Sequence, residues 1–150
     1  MKNYRISAAG IVLHDNKILL VRYNFPDGSS ILVGPGGGVE IEEDMQQALI
    51  REVMEETGLE VKPGKMLFVE DLLSRKYRMV KIWFFCSVVG GQLSKTHEAS
   101  VEGIVDVNWY SKDQLKNEVV YPSIIMEMDW NIFDGMCWET KYLALTQANF

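Results

Sequence analysis

Residues 44–57 contain neither glycine nor proline and are rich in Met, Gln, Ala, Leu, Ile, Arg and Glu, the residue types that favour helix. A glycine-rich run at 34–38 precedes them, and Gly58 follows as a suitable C-terminal stop. The pattern predicts a helix over 44–57. At about 100° per residue, Glu52, Glu55 and Glu56 fall within about 100° of one another. Ile50, Val53 and Met54 occupy a separate arc, expected to face a core. One side of the helix is expected to pack and the other to gather carboxylates.

Clustered carboxylates repel, and a Glu pair at i,i+4 weakens a helix by about 0.2–0.5 kcal/mol unless something compensates. A divalent cation compensates. Carboxylate oxygens are hard ligands, and Mg²⁺ accepts one or two of them together with waters and phosphate oxygens. Mn²⁺ can substitute. Arg51 lies one turn before Glu55, where its guanidinium can hold that carboxylate in a fixed rotamer. Glu43, at the expected helix N-terminus, has a local explanation in the helix dipole. Taken alone, the glycines at 34–38 read as a tight turn, and a glutamate-rich helix face reads as solvated surface.

A chain of 150 residues suits a single domain spanning 1–150 around one core. The net charge of −6 argues against a nucleic-acid polymer as partner, because neutralising its phosphates needs a clustered basic surface. Small anionic substrates remain open if metal ions supply positive charge. Cys86 and Cys137 are too few for a zinc site or a disulfide framework, and Cys86, in an apolar run, reads as a core residue. No segment has the length and apolarity of a membrane span or the form of a signal peptide. The expectation is a cytoplasmic protein with no membrane partner.

Two apolar runs, 7–13 and 17–23, flank Asp15-Asn16 and predict a hairpin. Further strands are expected over 31–34, 64–73, 79–89 and 101–110, with 94–100 as a polar connection. Short helices are expected at 111–116, capped by Ser111, and at 123–133, opened by Pro122. Residues 138–145 are compatible with strand or helix, and the region of about 120–150 has no assigned role.

Gly37, Glu43, Arg51, Glu52, Val53, Glu55, Glu56, Gly58 and Leu59 stand at the spacing Gly-x5-Glu-x7-Arg-Glu-aliphatic-x-Glu-Glu-x-Gly-aliphatic. This resembles the Nudix box of the Nudix hydrolases at every specified position. Residues 8–13 with 17–22 are similar to the opening hairpin of that family, and residues 105–110 to a late strand. The resemblance implies an α/β (α+β) fold, the Nudix-type α/β/α sandwich with a mixed β-sheet. It implies metal-dependent hydrolysis of a diphosphate in a nucleoside diphosphate linked to another moiety, with a nucleoside triphosphate or an ADP-ribose-like compound favoured. It also implies Mg²⁺ or Mn²⁺ as cofactor, a small-molecule nucleotide as partner, and a homodimer as one admissible assembly.

By the same resemblance, Glu52 and Glu56 are metal ligands and Glu55 either ligates or takes a proton from water. Gly36 offers a backbone carbonyl to the metal, Arg51 orients Glu55, and Glu43 is structural or weakly catalytic. Glu102 is a further candidate ligand or base. Arg5, Arg22, Arg75 and Arg78 are candidate contacts to the distal phosphate or leaving group. Tyr77 lies at a distance after the box similar to that of a tyrosine in diadenosine polyphosphate hydrolases. Two other functions stay open: a nucleotide-binding or regulatory module without turnover, and an isomerase of diphosphate-bearing isoprenoids.

Overall fold

The computed structural model describes residues 3–135 and 137–148. Nine strands form one mixed, curled sheet with two flanking wings. The hairpin closes as expected: β1 (Asn3–His14) and β2 (Lys17–Asn24) pair at Leu13↔Ile18 and His14↔Lys17. Asp15 and Asn16 between them both have positive φ, 51° and 59°. That is the backbone of a two-residue turn matched to the strand twist, and Asp and Asn tolerate it best among non-glycine residues.

β3 (Ser30–Val33) extends the sheet beside β2, and β4 (Gly36–Gly38) folds back antiparallel onto β1. After the helix α1 (Met45–Thr57), two long strands follow, β5 (Leu59–Leu73) and β6 (Tyr77–Gly91). β6 runs parallel to β1 and antiparallel to β5. β7 (Ile104–Tyr110) pairs with β2, β8 (Val120–Tyr121) with β3, and β9 (Lys141–Gln147) runs parallel to β5 at the sheet edge. One wing is thus β4, β1, β6, β5 and β9, and the other is β7, β2, β3 and β8.

Strand alternation divides the core in two. Ala8 and Val12 of β1, with Ile82, Phe84 and Cys86 of β6, face α1 and bury Leu49 and Val53. Ala9, Ile11 and Trp83 face the other way, into a second cluster with Leu115, Ile125, Trp130 and Phe133. Cys86 is fully buried, and burial pushes its thiol up to about 12, which suits a packing residue rather than a nucleophile. The last region anchors on the same layer. Phe68, Phe133 and Trp138 form an edge-to-face trio with centroids 5.4–6.0 Å apart, and the Trp138 indole N–H donates to the Leu67 carbonyl at 3.1 Å.

Three expected elements differ. Residues 123–133 form two 3-10 turns, Ser123–Glu127 and Trp130–Ile132. Asp129 between them accepts from the Asn131 N–H at 3.0 Å, a local bond that competes with helix continuation. The polar connection 94–100 contains instead a short helix, α2 (His97–Val101), capped by Thr96, and it buries Ala99. The late strand consequently begins at Ile104, after Gly103 at φ +89°. At 111–116 the helix shrinks to Asp113–Leu115, although Ser111 does exchange bonds with Gln114. Among the described residues no helix is long and apolar enough to cross a membrane.

Candidate active site

α1 begins with a reciprocal cap. Asp44 accepts from the Gln47 N–H and the Gln47 side chain accepts from the Asp44 N–H, both at 2.8 Å, which satisfies two otherwise orphaned donors. Glu43 therefore stands just outside the helix, and its carboxylate meets Arg51 rather than the free amides of the first turn. The helix ends at Gly58, φ 75°, whose N–H closes on the Met54 carbonyl at 2.9 Å, a left-handed cap that glycine adopts without strain.

The helix does not divide as its arcs suggest. Ala48, Leu49, Glu52, Val53 and Glu56 form one continuous buried face. Ile50 and Met54, expected in the core, are 37% and 40% exposed. The sheet decides this, because β1 offers Ala8, Gly10 and Val12 to the helix and Leu49 fills the space over Gly10. Glu52 and Glu56 enter the same interface where the glycines of β4 leave room. A Cβ on Gly37 would collide with the Glu52 carboxylate, and one on Gly36 would collide with the β1 backbone.

Glu56 is 1% exposed, and its Oε2 accepts from the Gly36 N–H at 3.3 Å. Its Oε1, and the Oε2 of Glu52, are buried without a hydrogen-bond partner among the described residues. Burial, the charges of Glu52 and Glu102, and little compensating hydrogen bonding hold the Glu56 carboxyl well above the usual carboxylate range. Burial raises Glu52 as well, against the pull of Arg51. Such unpaired buried oxygens are costly in a native fold and call for an explanation.

Arg51 ties the acids together. It donates to both Glu43 oxygens at 2.6 and 3.1 Å, to Glu52 Oε1 at 2.9 Å, to Glu55 Oε2 at 3.2 Å and to the Gly38 carbonyl at 3.2 Å. The single orienting contact expected from i,i+4 spacing is one of five. Across from the helix, Glu102 caps the C-terminus of α2. One carboxylate oxygen from each of Glu52, Glu55 and Glu102 lies within 4.8 Å of the others. Glu56 stands outside that trio, turned toward Gly36. A hard, all-carboxylate donor set with unbonded buried oxygens fits a divalent cation such as Mg²⁺.

Beyond Glu56 lies a cavity of about 280 Å³ between the two wings, lined by Arg5 and Ser7 of β1, Tyr23 of β2, Val33 of β3, Gly36, Gly37, and Tyr77 and Lys81 of β6. Of the expected substrate contacts, Arg5 and Tyr77 reach it, the Arg5 guanidinium stacked over the Tyr77 ring at 5.1 Å. Arg22 and Arg78 do not. Arg22 is held in a bidentate pair with Glu118 at 2.9 and 3.1 Å and donates to Ser30 at 2.7 Å. Arg78 is paired with Asp71, which Tyr142 also engages. Arg22 meets an acid 96 residues away and Arg78 meets one across the β5–β6 pair, partners that spacing alone does not disclose. Lys81 escaped sequence reasoning, though a signal existed: it occupies the strand register shared by Met79 and Trp83, where a cation points inward.

The chain has relatives among known proteins. The family model described as NUDIX domain matches residues 4–127. The chain is 34% identical over 116 residues to a protein named ADP-ribose pyrophosphatase from Methanocaldococcus jannaschii, covering 72% of this chain and 69% of that one. Among solved structures, an ADP-ribose pyrophosphatase from Streptococcus suis superposes with a TM-score of 0.68 at 21% identity, covering 93% of this chain and 98% of the other. A UDP-X diphosphatase superposes with a TM-score of 0.69 at 26% identity, covering 94% and 68%.

Proposed function

The chain belongs to the NUDIX family and is a pyrophosphohydrolase acting on acid anhydrides, and we propose that its substrate is a nucleoside diphosphate linked to another moiety, cleaved with a bound Mg²⁺ or Mn²⁺. A nucleoside triphosphate or an ADP-ribose-like compound is favoured. ADP-ribose is the compound in the name of the similar protein from Methanocaldococcus jannaschii.

The observation that carries the reading is the pair of buried glutamates on one turn of α1, each with an unbonded oxygen, beside glycine backbone and an open cavity. When bound, a divalent cation supplies positive charge to the phosphate oxygens and lowers the pKa of an attacking water. Glu52, Glu55 and Glu102 would hold it, with Glu56 and the Gly36 carbonyl as further ligands. Arg51 keeps Glu52 and Glu55 in place. Glu55 has one oxygen bonded to Arg51, and its other oxygen would either join the ligand set or take a proton from water. Glu43 supports Arg51 from the other side. The glycines of β4 let substrate phosphates approach the backbone without side-chain obstruction.

A panel of nucleoside triphosphates, ADP-ribose, nucleotide sugars and dinucleoside polyphosphates with Mg²⁺ or Mn²⁺, with products identified by mass, tests this. At least one should be cleaved within its diphosphate, and excess EDTA should abolish turnover. Undiminished hydrolysis in EDTA would refute the metal-dependent mechanism. Inactivity across the panel would favour a nucleotide-binding module instead.

A further inference from the structure

The cavity beside Glu56 has two unlike walls. β2 and β3 contribute Tyr23, Ile31 and Val33, which are aromatic or apolar, whereas β1 contributes Arg5 and Ser7, and β6 sets Lys81 beside Tyr77 and Met79. The arginines at 22, 51 and 78 are all closed by carboxylates. Lys81 is different. Among the described residues its ammonium has no hydrogen-bond acceptor and no carboxylate within ion-pair distance, and it lies 4.6 Å from the centre of the Trp83 ring. The neighbouring acid, Glu70, is occupied by the Trp83 indole N–H at 3.0 Å. Burial lowers the Lys81 pKa, while Glu70 and Glu56 favour its charged form.

The half-buried ammonium has no acceptor among the described residues and borders the cavity, so a ligand that fills the cavity and displaces its water must supply an oxygen there. A phosphate suits the place poorly, because the facing wall is apolar and Glu56 lies on the rim. A planar ring with a carbonyl edge satisfies both walls: its faces meet the aromatic and aliphatic side chains, and its oxygen meets the ammonium. Lysine has three donors and no acceptor. An amino group at the same ring position would set donor against donor and leave both unpaired, a mismatch that buried polar sites reject strongly.

We propose that Lys81 is a specificity-determining residue that donates to a ring carbonyl of the substrate's base, so that oxo-bearing bases are preferred to their amino counterparts. This rests on the nucleotide-hydrolysis reading above. Two matched pairs test it, UTP against CTP and ITP against ATP, with ADP-ribose against its hypoxanthine counterpart as a third. Each pair exchanges an oxo group for an amino group, with the adjacent ring nitrogen changing from N–H donor to acceptor, and the Lys81 variant separates the two changes. The oxo member should have the higher kcat/KM by about tenfold or more, as expected for one charge-assisted bond. In Lys81→Met, which keeps the aliphatic stem beside Trp83, that ratio should collapse toward one.

Calorimetric binding of UMP against CMP and of IMP against AMP needs no turnover and no folded variant, and should show the same order. Equal or reversed preference in the wild type, or a ratio retained in Lys81→Met, overturns the assignment. Turnover without base preference would refute this proposal alone. Base preference in binding without turnover would refute the hydrolysis reading alone.

Discussion

Replacing Glu56 by glutamine should make the metal-free protein more stable while destroying its activity. The carboxylate is 1% exposed, one oxygen has a single amide donor at 3.3 Å, and the other has no partner among the described residues. Burial first, then the charges of Glu52 and Glu102, raise its pKa well above the ordinary value. The folded chain therefore keeps a proton that the unfolded chain releases. Stability from this group is fully present below the ordinary carboxylate pKa and is lost as pH rises through the folded value.

Near pH 8 in EDTA, folding must either take up a proton at Glu56 or bury its ionised, unpaired oxygen, a cost of about 1–3 kcal/mol or more. Glutamine is isosteric and neutral; its oxygen can still accept from Gly36, and its amide offers a donor to the neighbouring carboxylates. Glu56→Gln should thus melt above wild type near pH 8, at about 2–4 °C per kcal/mol for a chain of this size. The gap should narrow toward pH 5, as the unfolded chain comes to hold the proton too. Adding Mg²⁺ should stabilise wild type by mass action and the variant less, and hydrolysis by the variant should fall by about 10²–10³. Thermal unfolding by circular dichroism at both pH values, in EDTA and in MgCl₂, measures all but the last. A variant that melts below wild type near pH 8 in EDTA, or a gap independent of pH, would refute the reasoning.

Arg51→Ala should lower kcat by about 10–100-fold, the usual loss when a residue that orients ligands is removed, with KM changed far less; steady-state kinetics showing a defect confined to KM would contradict a positioning role. Arg22→Ala should cost about 1 kcal/mol of stability through the lost Glu118 pair, seen as a lower denaturation midpoint, and leave kcat/KM near wild type; a large rise in KM would return Arg22 to the substrate. Gly37→Ala should weaken Mg²⁺ binding and turnover together, because the new Cβ would occupy the space of the Glu52 carboxylate. Calorimetric titration with Mg²⁺ giving wild-type affinity would show that Glu52 can move aside freely.

The hairpin, the box helix and the burial of Cys86 were legible because each is written locally, in a turn dipeptide, an unbroken run of helix formers, or an apolar stretch. The helix 44–57 was found nearly to the residue, with Asp44 as cap rather than first turn. Which face packs was not legible. Periodicity grouped Ile50 with Val53 and Met54, but the glycines of β4 and the small residues of β1 admit Leu49, Glu52 and Glu56 instead. The cavity was illegible for a similar reason. Arg5, Tyr23, Val33, Tyr77 and Lys81 are scattered over four strands, and only the register of β1 on β6, which sets Ser7 opposite Lys81, assembles the wall that carries Arg5, Ser7 and Lys81. The 3-10 turns replacing the expected helix at 123–133 reflect a competing side-chain bond at Asp129, which composition does not weigh.

Charge pairing separates the cations that hold the fold from those left for a ligand. With a net charge of −6, acids are plentiful, and an arginine beside a strand end readily finds one; Arg22, Arg51 and Arg78 do so, and their guanidinium groups are committed. Arg5 and Lys81 instead rest on aromatic rings, an arrangement that shields the cation partly while leaving its donors unspent. Both line the cavity that adjoins Glu56. Negative charge is therefore concentrated at the helix, where a cation would have to neutralise it, and unspent donors are concentrated across the cavity. A substrate anion with an acceptor-bearing group satisfies both ends only when the ion is present. Binding of nucleotide should accordingly be weak in EDTA and strengthen with Mg²⁺, and fluorescence titration showing equal affinity in both conditions would break the link between the two halves of the site.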